Sequence, residues 1–218
     1  MQEDSKVGRR ARLFGFRWRP VLMTALVHTA VAVLIFLFLD YPLHEALFRS
    51  DRDISQSLLG LFRAAGRWPG VILAILLLAT LRPKGWPRLV LTVVVACSLM
   101  AIFSDVMTRS VCRIRPRNTS GRTVFLPYFD RLTDSGKKGA SFSSGDVTNA
   151  FTLATVLSAA APPAAPVLYG LAVGSAWWRI SAGAHFASDA YLSAVIAHYG
   201  AWVFLSLMGY RRRRRGDR

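Results

Sequence analysis

The chain has 218 residues, of which 53% are hydrophobic and 18% charged, against about 25% charged in an ordinary soluble domain; a water-soluble enzyme is excluded. Its 28 Lys and Arg outnumber 12 Asp and Glu for a net charge of +16, yet long charge-free runs separate the basic clusters. A nucleic-acid binder spreads its cations over one folded polar surface, so no nucleic acid is expected and anionic lipid is the partner that the basic tails imply.

Crossing ~30 Å of hydrocarbon takes roughly 20 helical residues with every backbone group bonded internally. Pro20 to Leu39 carries no charge and is closed by Asp40, Tyr41 and Pro42, which predicts a first span over 20–39. Arg9 and Arg10 precede it without a small-x-small cleavage pattern, as in an uncleaved anchor. Trp68 to Leu81 is charge-free but short, and extending it backward gives a second span at about 64–81 in which Arg63 and Arg67 must snorkel or face the bundle. Leu89 to Ser104 anchors the third, about 87–107, with Asp105 placed to pair with a following arginine. Val147 to Trp178 is free of charge over 32 residues, too long for one span. Ala161-Pro162-Pro163-Ala164-Ala165-Pro166 divides it into spans of about 147–161 and 166–181, because prolines stop helices. The sixth span, about 187–210, ends at Arg211 to Arg215. The reading is an all-α protein, one domain over 1–218, folded as a six-transmembrane helix bundle.

An even span count puts both termini on one side, and Lys6, Arg9, Arg10, Arg12, Arg17, Arg19 and Arg211 to Arg215 make that side cytoplasmic. Arg82, Lys84 and Arg88 fall on the same side, while Asp40, Glu45, Asp51 and Asp53 fall outside. A multi-pass protein of a bacterial inner membrane is expected, with its site on the periplasmic, extracytoplasmic face. One stretch breaks the positive-inside rule: Arg109 to Lys138 holds eight Lys and Arg against Asp130 and Asp134, yet lies outside. Anion binding gives it a reason.

Three clusters meet at that face. The first runs from Arg109 through Arg113 to Arg115-Pro116-Arg117. The second, Ser141-Phe142-Ser143-Ser144-Gly145-Asp146, opens a helix whose free N–H groups and positive dipole end suit a phosphate. The third is Arg179 to Asp189, where Gly183 breaks a helix and His185 and Asp189 follow at i and i+4. A carboxylate facing the imidazole fixes its tautomer and leaves the other nitrogen as base or nucleophile, with Arg179 holding an anion before it. Cys97 and Cys112 with the four histidines supply no metal-ligand set, so neither metal nor cofactor is expected and arginines carry the charge stabilisation. His28 and His198 lie within spans and are expected to bond neighbouring helices; Trp177 and Trp178 read as interfacial residues.

These motifs resemble the type 2 phosphatidic acid phosphatases, whose pattern is Lys-x6-Arg-Pro, Pro-Ser-Gly-His and Ser-Arg-x5-His-x3-Asp. Here stand Arg115-Pro116, Ser144-Gly145, and Arg179 with His185 and Asp189 at the full spacing. The resemblance implies that His185 becomes a phosphohistidine and that Asp189 orients it. It also implies that Arg115, Ser144, Gly145 and Arg179 bind the phosphate, with Arg109 covering for the lysine slot held by Thr108. Ser143 replaces the proline and Trp178 the serine. Asp146 occupies the slot of the histidine that protonates the leaving group, as in the lipid A 4'-phosphatase-like branch, although neighbouring arginines stabilise a carboxylate over the neutral form that an acid requires. The implied activity is metal-independent removal of phosphate from a membrane lipid headgroup: a lipid A-like glycolipid, phosphatidylglycerophosphate, phosphatidate or polyprenyl phosphate. Two alternatives stay open, a lipid phosphotransferase on the same site and a non-catalytic protein that binds anionic lipid.

Overall fold

A computed structural model describes residues 18–48, 59–119, 123–126 and 141–208. The basic tails up to Arg17 and from Arg211, the acidic positions Asp51 and Asp53, and the loop residues Asp130, Asp134, Lys137 and Lys138 lie outside the described residues. The architecture is helical; the extended pairing among the described residues is a single antiparallel bridge between Arg113 and Phe125.

Helix α1, Trp18–Leu34, runs into one turn of π-helix, Ile35–Leu39, and then into α2, Asp40–Leu47. The first helix therefore does not stop at Asp40-Tyr41-Pro42. Pro42 lies in the first turn of α2, where a missing N–H is tolerated, and the π turn inserts an extra residue that re-aims the chain. Asp40 ends up 1% exposed, an ion-paired residue rather than a terminator. Leu22, Met23, Leu26 and Val27 of α1 and Leu37 and Phe38 of the π turn point outward, as on a lipid-facing helix.

The second apolar segment is two helices, α3 (Leu59–Ala65) and α4 (Trp68–Leu81), broken at Gly66-Arg67. A Cβ on Gly66 would fall 2.2 Å from Ser175 Oγ and 2.6 Å from the Asp146 carbonyl oxygen, so only glycine lets this kink sit on the neighbouring helices. Helix α5, Trp86–Val111, is followed by a left-handed Cys112 and a 3-10 turn at Pro116–Asn118. Helices α6 (Gly145–Ala160), α7 (Ala165–Ser181) and α8 (Ala187–Leu207) complete the bundle, with Pro162–Ala164 as the break foreseen between α6 and α7.

Among the described residues three stretches are long and apolar enough to cross a membrane, Leu22–Leu47, Trp86–Val111 and Ala187–Leu207, and Trp68–Leu81 is a shorter apolar helix. Helix α6 packs against α5, α7 and α8. Its Thr152 and Thr155 hydroxyls bond back to the carbonyls of Thr148 and Phe151, which satisfies them inside an apolar bundle. Small residues set the close approaches, with Ala150, Ala154 and Ala172 clustered between α6 and α7. His28 bonds Tyr191 at 2.7 Å and His198 bonds Tyr169 at 2.9 Å, interhelical contacts as expected. The alternation of helix directions brings the C-termini of α5 and α7 and the N-termini of α6 and α8 to one end of the bundle, beside the α3–α4 kink.

Candidate active site

The turn between α7 and α8 carries His185. Gly183 has φ +58° and a Cβ there would meet Phe48 at 2.6 Å, so the turn requires glycine. Its carbonyl accepts the Arg117 N–H at 3.1 Å, which docks the Pro116–Asn118 turn, and Arg115 and Arg117 with it, beside His185.

His185 is 3% exposed. Its Nδ1 meets the Ser141 carbonyl, and its Nε2 lies 2.8 Å from Arg179 Nη2. A carbonyl can only accept and a guanidinium can only donate, so the ring is neutral, protonated on Nδ1, with the Nε2 lone pair toward Arg179. Burial holds the imidazole well below its usual range, reinforced by the Arg179, Arg115 and Arg117 charges and opposed by the Ser141 bond. Such a ring is unprotonated on Nε2 at neutral pH, the form in which an imidazole can attack an electrophile.

Asp189 does not orient the ring directly. Its carboxylate accepts from Ser141 Oγ at 2.6 Å, from Arg113 Nη1 at 2.7 Å and from the Phe186 N–H at 3.3 Å. Ser141 thus stands between them, its hydroxyl on Asp189 and its carbonyl on His185, while its own N–H donates to the Arg113 carbonyl at 2.9 Å. Arg113 in turn is buried against a second carboxylate, donating from Nη2 to Asp40 Oδ2 at 2.7 Å. Asp40 also accepts from the Ser188 N–H at 2.8 Å and from Ser188 Oγ at 2.6 Å. Arg113, Asp40 and Asp189 have side chains no more than 3% exposed. None of Asp40, Arg113 and Ser141 was singled out from sequence as a site residue.

Beside Arg179 opens a cavity of about 300 Å³ lined by Arg63, Arg67, Arg115, Arg117, Trp178, Arg179, Ala182 and Ala184. Arg115 and Arg179, which the motifs single out, both line it. Burial and the Arg117 charge depress the Arg115 guanidinium from its usual range, and Asp146 opposes the shift. Arg63 and Arg67, expected from sequence to snorkel or to face the bundle, line this cavity. Trp178, read as interfacial, is 5% exposed; the guanidinium carbons of Arg179, Arg63 and Arg67 lie 5.0, 5.3 and 5.7 Å from its ring centroid. Trp177 is 45% exposed, as an interfacial residue is.

Asp146 Oδ2 sits between Arg67 Nε at 3.2 Å and Arg179 Nη1 at 3.3 Å. Ser144 and Gly145, the adjoining start of α6, are not part of the cavity wall. The Ser144 N–H is committed to Ser193 Oγ at 2.9 Å, while Ser144 Oγ is buried with no hydrogen-bond partner among the described residues. Arg109 leaves the phosphate-binding set: its side chain is 76% exposed and pairs with Asp105 at 2.7 Å, because the chain turns away from α5 only at Cys112. The lysine-slot Thr108 donates to the Ser104 and Ser143 carbonyls. Among the described residues no three His, Cys, Asp or Glu side chains cluster as a metal site would.

Residues 88–213 match a family model described as the PAP2 superfamily. No curated protein sequence matches the chain. The crystal structure of Aquifex aeolicus LpxE is similar in fold, with 22% sequence identity, a TM-score of 0.58, and coverage of 77% of this chain and 95% of that one.

Proposed function

The chain belongs to the PAP2 superfamily, a superfamily of phosphoric monoester hydrolases, and from that premise we propose that it removes phosphate from a membrane lipid headgroup through a phosphohistidine on His185. One observation carries this reading: a neutral, buried imidazole whose Nε2 lone pair faces Arg179 at the wall of an arginine-lined cavity.

An incoming phosphate monoester draws Arg179 from Nε2 onto its oxygens, with Arg115 beside it, since Arg–phosphate pairing is bidentate and charge-assisted. Nε2 then attacks phosphorus, an N–P bond forms, the P–O bond to the headgroup breaks, and the leaving oxygen takes its proton from water in the cavity. The imidazole acquires positive charge, which the hydrogen bond from its Nδ1–H to the Ser141 carbonyl stabilises. Asp189 and Arg113 hold Ser141 and so act as positioning residues. Water entering the cavity attacks the phosphohistidine and releases inorganic phosphate; an acceptor lipid in the place of water gives the transferase outcome.

Asp146 is placed between two guanidiniums, which favours the carboxylate. Its role in this account is to aim Arg67 and Arg179 at the phosphoryl group, rather than to supply the leaving-group proton. The substrate is a lipid phosphate, with a lipid A-like glycolipid the leading member. The site faces the periplasm across six spans of a bacterial inner membrane, with the basic tails on anionic cytoplasmic lipid. Purified protein assayed in EDTA against a panel of lipid phosphates tests the reading: release of inorganic phosphate supports it, and none from any member contradicts it.

A further inference from the structure

Between α6, α7 and α8, at the end of the bundle away from His185, lies another cavity, of about 450 Å³, within the roughly 300–1,000 Å³ of small-molecule sites. Ser158 on its wall stands about 20 Å along α6 from Gly145, at about 1.5 Å of rise per residue. Pro162, from the turn after α6, and Ser206, from the last turn of α8, also line it. Among the described residues no Lys, Arg, Asp or Glu does. Ala159, Pro162, Trp202 and Leu205 make an apolar wall, and Thr155, Ser158, Tyr169 and His198 a polar one. Ala159, Pro162 and Trp202 are exposed, so the cavity opens at the surface of the bundle, beside a helix long and apolar enough to cross a membrane.

The polar wall does not satisfy itself. Thr155 gives its one proton to the Phe151 carbonyl at 2.7 Å. Tyr169 Oη lies 2.9 Å from His198 Nδ1 and 3.1 Å from Thr155 Oγ1, and Thr155 Oγ1 is 3.1 Å from the same Nδ1. If Tyr169 donates to Nδ1, the ring carries its proton on Nε2; if Nδ1 donates, Tyr169 turns its proton to Thr155 and Nε2 is a lone pair. In either neutral tautomer Nε2 meets no hydrogen-bond partner among the described residues. Ser158 Oγ is buried and likewise has none. Thr152 and Thr155 bond back to the preceding turn of α6, as hydroxyls on apolar helices commonly do, but Ser158 does not. Two groups that require hydrogen bonds therefore belong to residues on the wall of one mainly uncharged cavity.

We propose that this cavity binds an uncharged lipid alcohol, its hydroxyl held by Ser158 and His198 and its apolar body by Ala159, Trp202 and Leu205. A hydroxyl both donates and accepts, so it serves Ser158 Oγ and it serves Nε2 in either tautomer. An ester carbonyl only accepts and would not answer a lone pair on Nε2. A phosphate or carboxylate brought among these walls would need a cation, and none lines them. The apolar wall and the opening beside α8 fit a ligand that arrives from lipid rather than from water. The site is separate from the arginine cavity, and its binding does not depend on the reaction at His185.

The test uses the full-length protein in a detergent without hydroxyl groups, with dioctanoylglycerol and its acetate ester as calorimetric probes; the two share a body and differ in the hydroxyl. The parent should bind the alcohol at least tenfold more tightly than the acetate. Ser158→Ala and His198→Phe should each erase most of that preference while the weak binding of the acetate stays the same, a pattern that general loosening of the bundle would not give. Where His198→Phe does not fold, Ala159→Phe takes its place: it fills the cavity and should abolish binding of the alcohol. Equal binding of alcohol and acetate by the parent, or binding of neither, overturns the site. So does a preference that survives in Ser158→Ala and in the folded second variant, since the alcohol then sits elsewhere.

Discussion

Replacing Arg113 by methionine removes the one cation between two buried carboxylates. Asp40 and Asp189 then face each other with side chains 0% and 3% exposed. Each keeps neutral donors: Ser188 for Asp40, Ser141 and the Phe186 N–H for Asp189. Breaking one buried ion pair costs about 3–5 kcal/mol, because a charge is left uncompensated in low dielectric. Arg113 serves two such pairs, so Arg113→Met should lose at least that much, against a total stability of about 5–15 kcal/mol for a typical domain. Asp40→Asn alone should cost only about 1–2 kcal/mol, since Arg113 keeps Asp189 and the amide oxygen still accepts one hydrogen bond. The two changes should not add: in Arg113→Met/Asp40→Asn one of the unpaired carboxylates is gone, and part of the loss should return. Denaturant unfolding in detergent, followed by tryptophan fluorescence, reads all three proteins. Turnover should fall about tenfold or more in Arg113→Met, because Asp189 holds Ser141 and Ser141 holds His185. A double variant no more stable than Arg113→Met, or an Arg113→Met protein within about 1 kcal/mol of the parent, would refute the network as drawn.

Asp146→Asn should slow alkyl and aryl phosphates by similar factors, as expected of a carboxylate that aims arginines. A loss of about 10²-fold confined to alkyl phosphates, the scale of a missing general acid, would restore Asp146 as proton donor. Because burial and the Arg179 charge hold the His185 ring well below its usual range, the acid limb of kcat should fall below pH 6.5. Removing a nearby positive charge eases protonation, so Arg179→Gln should move that limb to higher pH as well as lowering the rate; a limb that stays put separates His185 from the titration. Arg109→Gln should leave kcat/KM within about twofold, since an exposed ion pair contributes only about 0–1 kcal/mol, and a tenfold loss would return Arg109 to the phosphate-binding set.

Helices α5 to α8 follow the charge-free runs closely, because prolines, glycines and charges mark their ends. The spacing Arg179, His185, Asp189 marks the turn between α7 and α8 for the same local reason. What escaped depends on geometry that is not written locally. Asp40 reads as a helix stop until a π turn swings it inward to Arg113. Arg63 and Arg67 read as residues that must snorkel or face the bundle until Gly66 allows a kink that aims them at the cavity. Among the four arginines from 109 to 117, spacing alone does not separate the exposed Arg109 from the buried Arg113; the left-handed Cys112 decides which leave the helix direction. Ser141 is silent in sequence because its contribution is partly its backbone carbonyl. Asp189 was expected to face the imidazole; that it meets Ser141 instead depends on the fold.

The proposed reaction turns on a covalent intermediate on His185. Rapid quench of the parent with ³²P-labelled lipid phosphate should yield an acid-labile, base-stable phosphoenzyme that maps to His185, and His185→Ala, inserted in the membrane and folded, should yield none and release no phosphate. A His185→Ala protein that still turns over, or a label carried by another residue, would contradict it.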